Sequence, residues 1–134
     1  MTLAAVESIT GGLFASEITK TPGASTFFKG SLVTYSNEIK EKLGVDISAG
    51  VVNSKVALAM AQKGQAFFQV DLCVAFTGNA GPTTLDQKPV GKVFIAINEQ
   101  VYELDFKGDR QSIREQSVAF ALKKISKLLP KKAI

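Results

Sequence analysis

Apolar residues occur along this chain in two alternating patterns, short continuous runs and longer stretches with helical spacing. Short runs bounded by turn residues predict buried strands, and apolar positions three and four apart predict amphipathic helices. The predicted strands are 3–6, 31–35, 72–76, 93–97 and 101–106, the last two forming a hairpin around 98–99. Helices are predicted from residue 13, over 38–43, from a cap at 53–54 to residue 68, and over 109–129, with a short helical turn at 25–28. This alternation predicts an α/β fold, a three-layer α/β/α sandwich with a mixed, mostly parallel sheet.

Composition adds two exclusions to this picture. The 134 residues favour a single domain over 1–134, and apolar content of 46% with charged content of 21% is typical of globular proteins. The chain contains no histidine, which excludes Ser-His-Asp and Cys-His nucleophilic sites as well as zinc sites that need imidazole. The one cysteine, Cys73, lies in a predicted strand, and we expect it to be buried and inert.

Charge and hydropathy predict the compartment and the partners. No apolar run approaches the roughly 20 residues of a membrane helix, and the N-terminus lacks the basic region of a signal peptide. We therefore expect a cytoplasmic protein with no membrane partner. The formal net charge is +4, with a basic C-terminal helix end over 123–134. No aromatic residues are interleaved with its lysines, so a solvated helix end is favoured over nucleic-acid binding. Those lysines are Lys123, Lys124, Lys127, Lys131 and Lys132.

Three polar turns follow three of the predicted strands, at 8–12, 35–40 and 77–82. If those strands are parallel neighbours, the three turns meet at one edge of the sheet, where ligands of open α/β sheets usually bind. Backbone N–H groups at such turns favour a phosphate or an oxyanion. We therefore expect a cleft at this edge that binds a phosphate or stabilises an oxyanion.

The residues in these turns include a chemically coherent set for catalysis without histidine. Ser8 follows the first strand, where a helix N-terminus would stabilise a developing alkoxide. Lys40 lies in the segment where the turn after the second strand passes into a helix. Desolvation can lower the pKa of a lysine until its amine acts as a base. Tyr35 lies five positions before Lys40 and could orient or relay a proton.

Each of these residues also has a purely structural interpretation. Ser8 or Thr10 could cap the first helix, and the glycine pair at 11–12 could only ease a tight turn. Tyr35 could be a strand residue with a solvated hydroxyl, and Lys40 could be an ordinary surface lysine. Spacing alone does not separate these readings from the catalytic one.

The turns carry motifs that resemble those of the CinA C-terminal family. Six segments occur in the family's order over nearly the whole chain, and together they are specific although each is weak alone. The segment ESITGG at 7–12 resembles the family's ESCTGG, PGAS at 22–25 matches, YSNEIK at 35–40 resembles YSNEAK, TGNAGP at 77–82 resembles TGIAGP, and KPVG at 88–91 and GDR at 108–110 match.

The resemblance implies a specific activity. The family includes amidohydrolases that convert nicotinamide mononucleotide to nicotinate mononucleotide and ammonia, with Ser8 as the nucleophile, Lys40 as the general base and Tyr35 assisting. It places Ser25, Thr77 and Arg110 in the substrate site, and we expect neighbouring turn residues to complete it. Those residues are Thr10, Gly11, Gly12, Ser36, Asn37, Gly78, Asn79 and Gly81. No cofactor or metal is implied, and a homo-oligomer, either a dimer or a trimer, stays open.

Departures from the family pattern keep two other functions open. Ile9 replaces the usual cysteine, Asn79 replaces an apolar residue, and 83–86 replaces a glycine-rich stretch. Family members commonly carry a helix before the first strand, which we expect to be absent here. A module that binds a pyridine nucleotide without turnover would fit these departures. The family's name and the basic end of the chain suggest an interaction domain linked to competence or DNA damage.

Overall fold

The computed structural model describes residues 1–129. Five strands and four α-helices alternate along most of the chain, with single 3₁₀ turns at Ala24–Thr26 and Ser126–Leu128. In chain order they are β1 (Leu3–Glu7), α1 (Leu13–Thr19), β2 (Phe28–Val33), α2 (Asn37–Leu43), α3 (Ser54–Phe68), β3 (Leu72–Gly78), β4 (Lys92–Ile97), β5 (Gln100–Asp105) and α4 (Arg110–Ile125).

The strands form one mixed sheet in the order β2-β1-β3-β4-β5. β1 pairs in parallel with both β2 and β3, while β4 pairs antiparallel with β3 and β5. Four of the five strands therefore run in the same direction, and only β4 is reversed. The carboxyl ends of β1, β2 and β3 meet at one edge of the sheet, as the polar turns predict.

Both faces of the central strands are covered by helices. Along β1, Leu3 and Ala5 join the core beneath α1 and α4, whereas Ala4 and Val6 join the core beneath α3. β3 and β4 show the same alternation, which follows from the two-residue period of a strand. The predicted three-layer α/β/α sandwich is confirmed, and continuous apolar runs mark the strands that are buried on both faces.

The second strand lies earlier in the chain than its pattern predicts. Residues 31–35 were expected, but β2 spans Phe28–Val33. The backbone carbonyls of Thr34 and Tyr35 accept hydrogen bonds from Lys40 Nζ instead of continuing the sheet. The predicted helical turn at 25–28 is the 3₁₀ turn Ala24–Thr26.

Two residues of the predicted helix stripes are exposed. Phe67 at the end of α3 is 63% exposed, and Leu128, after α4, is 47% exposed. Both lie where their helix ends, so the helical period no longer directs them to the sheet. α4 ends at Ile125 rather than at residue 129. Pro130, Lys131 and Lys132, and with them the outer part of the basic end, lie outside the described residues.

Two further sequence features can be compared with the structure. Cys73 is fully buried in β3, as expected, and burial raises the pKa of its thiol to about 12. Among the helices formed by residues 1–129, none is both long and apolar enough to cross a membrane.

Gly64 determines how closely α3 approaches the sheet. A Cβ atom at Gly64 would lie 2.4 Å from Val6 Cγ2 and 2.6 Å from Cys73 Sγ.

Replacing a mid-helix glycine by alanine normally stabilises a helix by about 0.5–1 kcal/mol. Here we expect Gly64→Ala to lower the free energy of unfolding by about 1–3 kcal/mol, because overpacking forces the helix from the sheet. Urea unfolding measures this, and the exposed Gln62→Ala on the same helix is the control. Stabilisation by Gly64→Ala would contradict the close packing.

Candidate active site

A cavity of about 260 Å³ opens at the edge where β1, β2 and β3 end. The three polar turns identified from the sequence all contribute to its wall, together with the segment before α3, the loop after β3 and the start of α4. The lining residues are Ser8, Ile9, Tyr35, Lys40, Val51, Thr77, Gly78, Asn79, Ala80, Gly81, Thr83, Thr84, Leu85 and Arg110.

Ser8 continues directly from β1 into the cavity wall. Its backbone N–H donates to the Phe76 carbonyl (3.0 Å), so the residue is fixed to the neighbouring strand β3. The residue is 8% exposed, and its hydroxyl forms no hydrogen bond with any other residue in 1–129, where only its backbone is bonded. The hydroxyl is therefore available to a ligand, and the interpretation of Ser8 as the cap of α1 is wrong because its side chain caps nothing there.

Lys40 is a buried lysine and not the surface residue that its polar sequence surroundings would suggest. Only 1% of it is exposed, although it lies on α2. Its Nζ donates to the carbonyls of Thr34 (2.8 Å) and Tyr35 (3.0 Å). Burial lowers the pKa of its amine, because the charged form loses hydration.

Ser8 and Lys40 line the same cavity but are not hydrogen-bonded to each other in the described part of the chain. A neutral lysine amine has two N–H bonds and one lone pair. Since the two carbonyls take up two hydrogen bonds, they leave the third tetrahedral position of Nζ for the lone pair. Catalytic hydrogen bonds of this kind are often formed only when substrate is bound.

Tyr35 and Arg110 meet at the opening of the cavity. Tyr35 is 60% exposed, and its hydroxyl accepts a hydrogen bond from Arg110 Nη2 (3.1 Å). Arg110 Nη1 donates to the carbonyl of Gly81. The guanidinium thus joins the turn after β2 to the turn after β3, and its remaining N–H bonds are available to an anion.

The third turn is held by its own side chains. The Thr77 hydroxyl donates to the Val51 carbonyl (2.6 Å), so it can offer a ligand only its lone pairs. The Asn79 amide donates to the Lys88 carbonyl (3.0 Å) and accepts from the Gly81 N–H (3.0 Å), closing the base of the loop that follows. Asn79 replaces an apolar residue of the family motif, and its polar atoms stabilise this loop. Gly78 and Gly81 also lie in the cavity wall, as expected.

Six predicted substrate-binding residues do not line this cavity: Thr10, Gly11, Gly12, Ser25, Ser36 and Asn37. The Thr10 hydroxyl is buried and donates to Glu7 (2.8 Å), on the other side of the turn. Ser36 accepts from the Ile39 N–H (3.2 Å) and caps α2. Ser25 precedes β2 and lines a separate open surface at the opposite edge of the sheet. The sequence spacing of these six residues indicated the segments in which they lie, but not whether those residues face the cavity.

Sequence reasoning missed two charged residues that hold the turn after β1. The Glu7 carboxylate is fully buried and accepts hydrogen bonds from the N–H groups of Phe14 (2.8 Å) and Ala15 (3.2 Å). Glu7, which lies seven residues before Phe14, therefore caps α1 in place of Ser8 or Thr10. Arg114 on α4 donates to the carbonyls of Ile9 (3.3 Å) and Thr10 (2.9 Å). An acidic residue at the end of an otherwise apolar strand was the available signal for Glu7.

Metal binding has no candidate cluster in the part of the chain that the structure describes. Residues 1–129 bring together no group of three or more aspartate, glutamate or cysteine side chains that could hold an ion. The polar groups of the cavity wall are one amine, one guanidinium, the Asn79 carboxamide, hydroxyls and backbone amides, which suit an anionic or neutral polar ligand.

The fold and the cavity define a class, that of α/β/α sandwich proteins with a ligand cavity at the carboxyl ends of parallel strands. Residues 1–129 match the family described as the CinA C-terminal domain, and the chain belongs to that family. Relatives named competence-damage inducible protein include one from Geobacillus sp. (strain WCH70), 41% identical over 138 aligned residues, and one from Bacillus pumilus (strain SAFR-032), 39% identical over 137. The aligned region covers 96% of this chain but only 33% of each relative, so the chain spans about a third of their length.

Solved structures share the whole architecture. A competence/damage inducible protein CihA from Agrobacterium tumefaciens is 33% identical, with a TM-score of 0.89 over 96% of this chain and 85% of that chain. A competence-damaged protein (CinA) superfamily protein from Escherichia coli is 31% identical, with a TM-score of 0.88 over 96% and 81%. The predicted family and fold are therefore both confirmed.

Burial of Lys40 predicts a pH dependence of stability. Because its folded-state pKa lies below the ordinary 10.5, the unfolded chain binds more protons between the two values. The free energy of unfolding contributed by this group therefore rises with pH across that window and is constant above 10.5. Lys40→Met removes this contribution while keeping a similar side-chain length.

Denaturant unfolding of both proteins from pH 7 to pH 11 tests this expectation. The stability of the wild type minus that of Lys40→Met should increase toward pH 10.5, since titration of all other groups is common to both proteins. The same measurement on Lys42→Met, whose side chain is 70% exposed on the same helix, should show no such trend. A flat difference for Lys40→Met would contradict the lowered pKa.

Proposed function

We propose that this chain hydrolyses the carboxamide of nicotinamide mononucleotide, releasing nicotinate mononucleotide and ammonia, with Ser8 as nucleophile and Lys40 as general base. One observation carries the proposal: Ser8 and Lys40 line the same cavity. The Ser8 hydroxyl has no hydrogen-bond partner among residues 1–129, and burial lowers the pKa of the Lys40 amine. Histidine, the usual base for a serine nucleophile, is absent from the sequence. A buried amine supplies the same function, because its neutral form is accessible nearer to neutral pH.

The reaction follows from the position of the two groups. Lys40 accepts the Ser8 hydroxyl proton as the serine oxygen attacks the carboxamide carbon. The tetrahedral intermediate collapses when the ammonium form of Lys40 returns that proton to the leaving nitrogen, which departs as ammonia. Lys40 then deprotonates a water molecule as the water oxygen attacks the ester on Ser8. When this second tetrahedral intermediate collapses, Lys40 returns the proton to the departing Ser8 oxygen, which restores the serine hydroxyl and the neutral amine, and the nicotinic acid group loses its proton to solvent as the carboxylate. Charge and protons balance in both halves, and the chemistry requires neither a metal nor a cofactor.

The oxyanion formed in each half needs N–H donors. Several backbone N–H groups of the cavity wall have no hydrogen-bond partner among residues 1–129, and those of Ile9 and Ala80 lie just beyond the carboxyl ends of β1 and β3. Ile9 directly follows the nucleophile, which is the donor position used in many serine hydrolases. We assign these two N–H groups as the oxyanion donors. By contrast, the Gly11 N–H donates to the Ser8 carbonyl (3.1 Å) and is not available.

The substrate phosphate has one natural partner in the cavity. Arg110 carries a guanidinium whose planar donors suit phosphate geometry, and no aspartate or glutamate lines the cavity beside it. The Tyr35 hydroxyl accepts from this guanidinium and orients it toward the phosphate, which is how Tyr35 assists the reaction. Cys73 is a free thiol, and the proposal places the reaction in the cytoplasm, where thiols stay reduced.

Release of ammonia from nicotinamide mononucleotide by the purified chain is the direct test. We expect turnover by the wild type and a loss of at least about 10³-fold in kcat for Ser8→Ala and for Lys40→Met, because each removes a group that acts in both halves of the reaction. The matched controls are Ser16→Ala on α1 and Lys42→Met on α2, both exposed, and each should keep wild-type activity.

The outcomes separate the competing functions. Activity in either Ser8→Ala or Lys40→Met at more than a tenth of wild type would refute the assigned roles. No ammonia from the wild type, together with saturable binding of the nucleotide in a titration, would instead identify a binding module.

A further inference from the structure

The Glu7 carboxylate is the most heavily hydrogen-bonded side chain next to the cavity, and the reaction above does not use it. It is fully buried at the end of β1, immediately before Ser8. Four donors surround it, and no lysine or arginine among residues 1–129 forms an ion pair with it. A buried carboxylate without a cation depends on such donors for its stability.

The four donors come from different parts of the turn that carries Ser8. Oε1 accepts from the Thr10 hydroxyl (2.8 Å) and the Phe14 N–H (2.8 Å). Oε2 accepts from the Ala15 N–H (3.2 Å) and from the Ser31 hydroxyl on β2 (2.7 Å). One carboxylate is thus hydrogen-bonded to the turn after β1, to the first residues of α1 and to the neighbouring strand β2.

The opposite charge holds the same turn through its carbonyls. Arg114 on α4 donates to the carbonyls of Ile9 and Thr10, the two residues after Ser8. The turn is therefore fixed by an anion that accepts from its donors and a cation that donates to its acceptors. Two glycines, at φ +57° for Gly11 and +103° for Gly12, allow the backbone to follow this path.

We infer that Glu7 is a positioning residue for the Ser8 nucleophile, acting through the turn of residues 8–12 and not through contact with the substrate. The inference rests on the proposed function, since it concerns the same nucleophile. Glu7 is not in the cavity wall. Alternation along the strand directs Glu7 toward α1, and the next residue, Ser8, toward the opposite face. Glu7 thus holds Ser8 in place from the face that the substrate does not reach.

Glu7→Gln is the sharpest variant, because a glutamine has one acceptor oxygen and one donor nitrogen. Each carboxylate oxygen accepts from one backbone N–H and one hydroxyl. A hydroxyl can rotate to accept, but an N–H cannot, so the amide nitrogen would face the N–H of Phe14 or of Ala15 in either orientation. We expect kcat to fall by about 10- to 100-fold, because an error of about 1 Å in the nucleophile is enough for such a loss. KM should stay within about threefold, since the substrate contacts are untouched. Glu17→Gln on α1, which removes an acidic group outside this network, should retain wild-type kcat.

A second variant keeps the inference testable if Glu7→Gln does not fold. Thr10→Val combined with Ser31→Ala removes the two hydroxyl donors and leaves the carboxylate and both N–H bonds. It should give a smaller loss of kcat, also with KM preserved. Wild-type kcat in every folded variant would overturn the inference.

Hydrogen exchange separates a failure of this inference from a failure of the proposed function. The Gly11 N–H donates to the Ser8 carbonyl inside the turn. Its exchange should accelerate at least tenfold in a folded variant, while the amides of β3 keep their protection. If the wild type releases no ammonia, the proposed function fails, and unchanged Gly11 exchange would independently refute the role of Glu7 in holding the turn.

Discussion

Parallel pairing of β1 with β2 on one side and β3 on the other is the constraint on which the site depends. It brings the carboxyl ends of three strands to the same edge, so that turns separated by about 30 to 70 residues in sequence form one cavity. The apolar cores on both faces make the strands rigid, and their polar ends require hydrogen-bond partners. Lys40 is such a partner for the carbonyls that follow β2, and Glu7 is one for the first N–H groups of α1, so both charged side chains are buried at this edge.

The buried lysine links the fold to the chemistry. Three residues separate α2 from β2, and the Ser36 hydroxyl caps α2, which directs Lys40 back beneath the strand end. The carbonyls of Thr34 and Tyr35 leave the sheet to accept from its amine. A surface lysine would have an ordinary pKa and could not act as a base, whereas burial lowers the pKa of Lys40. The same local geometry therefore ends the strand and prepares the base.

Much of this architecture could be predicted from sequence because its causes are local. Continuous apolar runs identified the buried strands, and the turns after them identified the cavity edge with Ser8 and Lys40. Thr77 and Arg110, which also line the cavity, were assigned to the site by the family resemblance. Side-chain direction could not be predicted: Thr10 faces Glu7, and Ser25 lies at the other end of β2. The capping of α1 by Glu7 was also beyond prediction, because a cap seven residues upstream depends on how the turn folds back. β2 ends at Val33, earlier than expected, because the carbonyls of Thr34 and Tyr35 accept from Lys40 on α2 instead of pairing in the sheet.

A crystal structure of the Ser8→Ala protein with nicotinamide mononucleotide would test the central claim, that this cavity presents a carboxamide to Ser8 and Lys40. We expect the carboxamide carbon about 3–3.5 Å from the position that the Ser8 oxygen occupies, with the lysine amine beside it. The phosphate should lie against Arg110. A nucleotide bound with its phosphate toward Lys40, or with its carboxamide in solvent, would contradict the account.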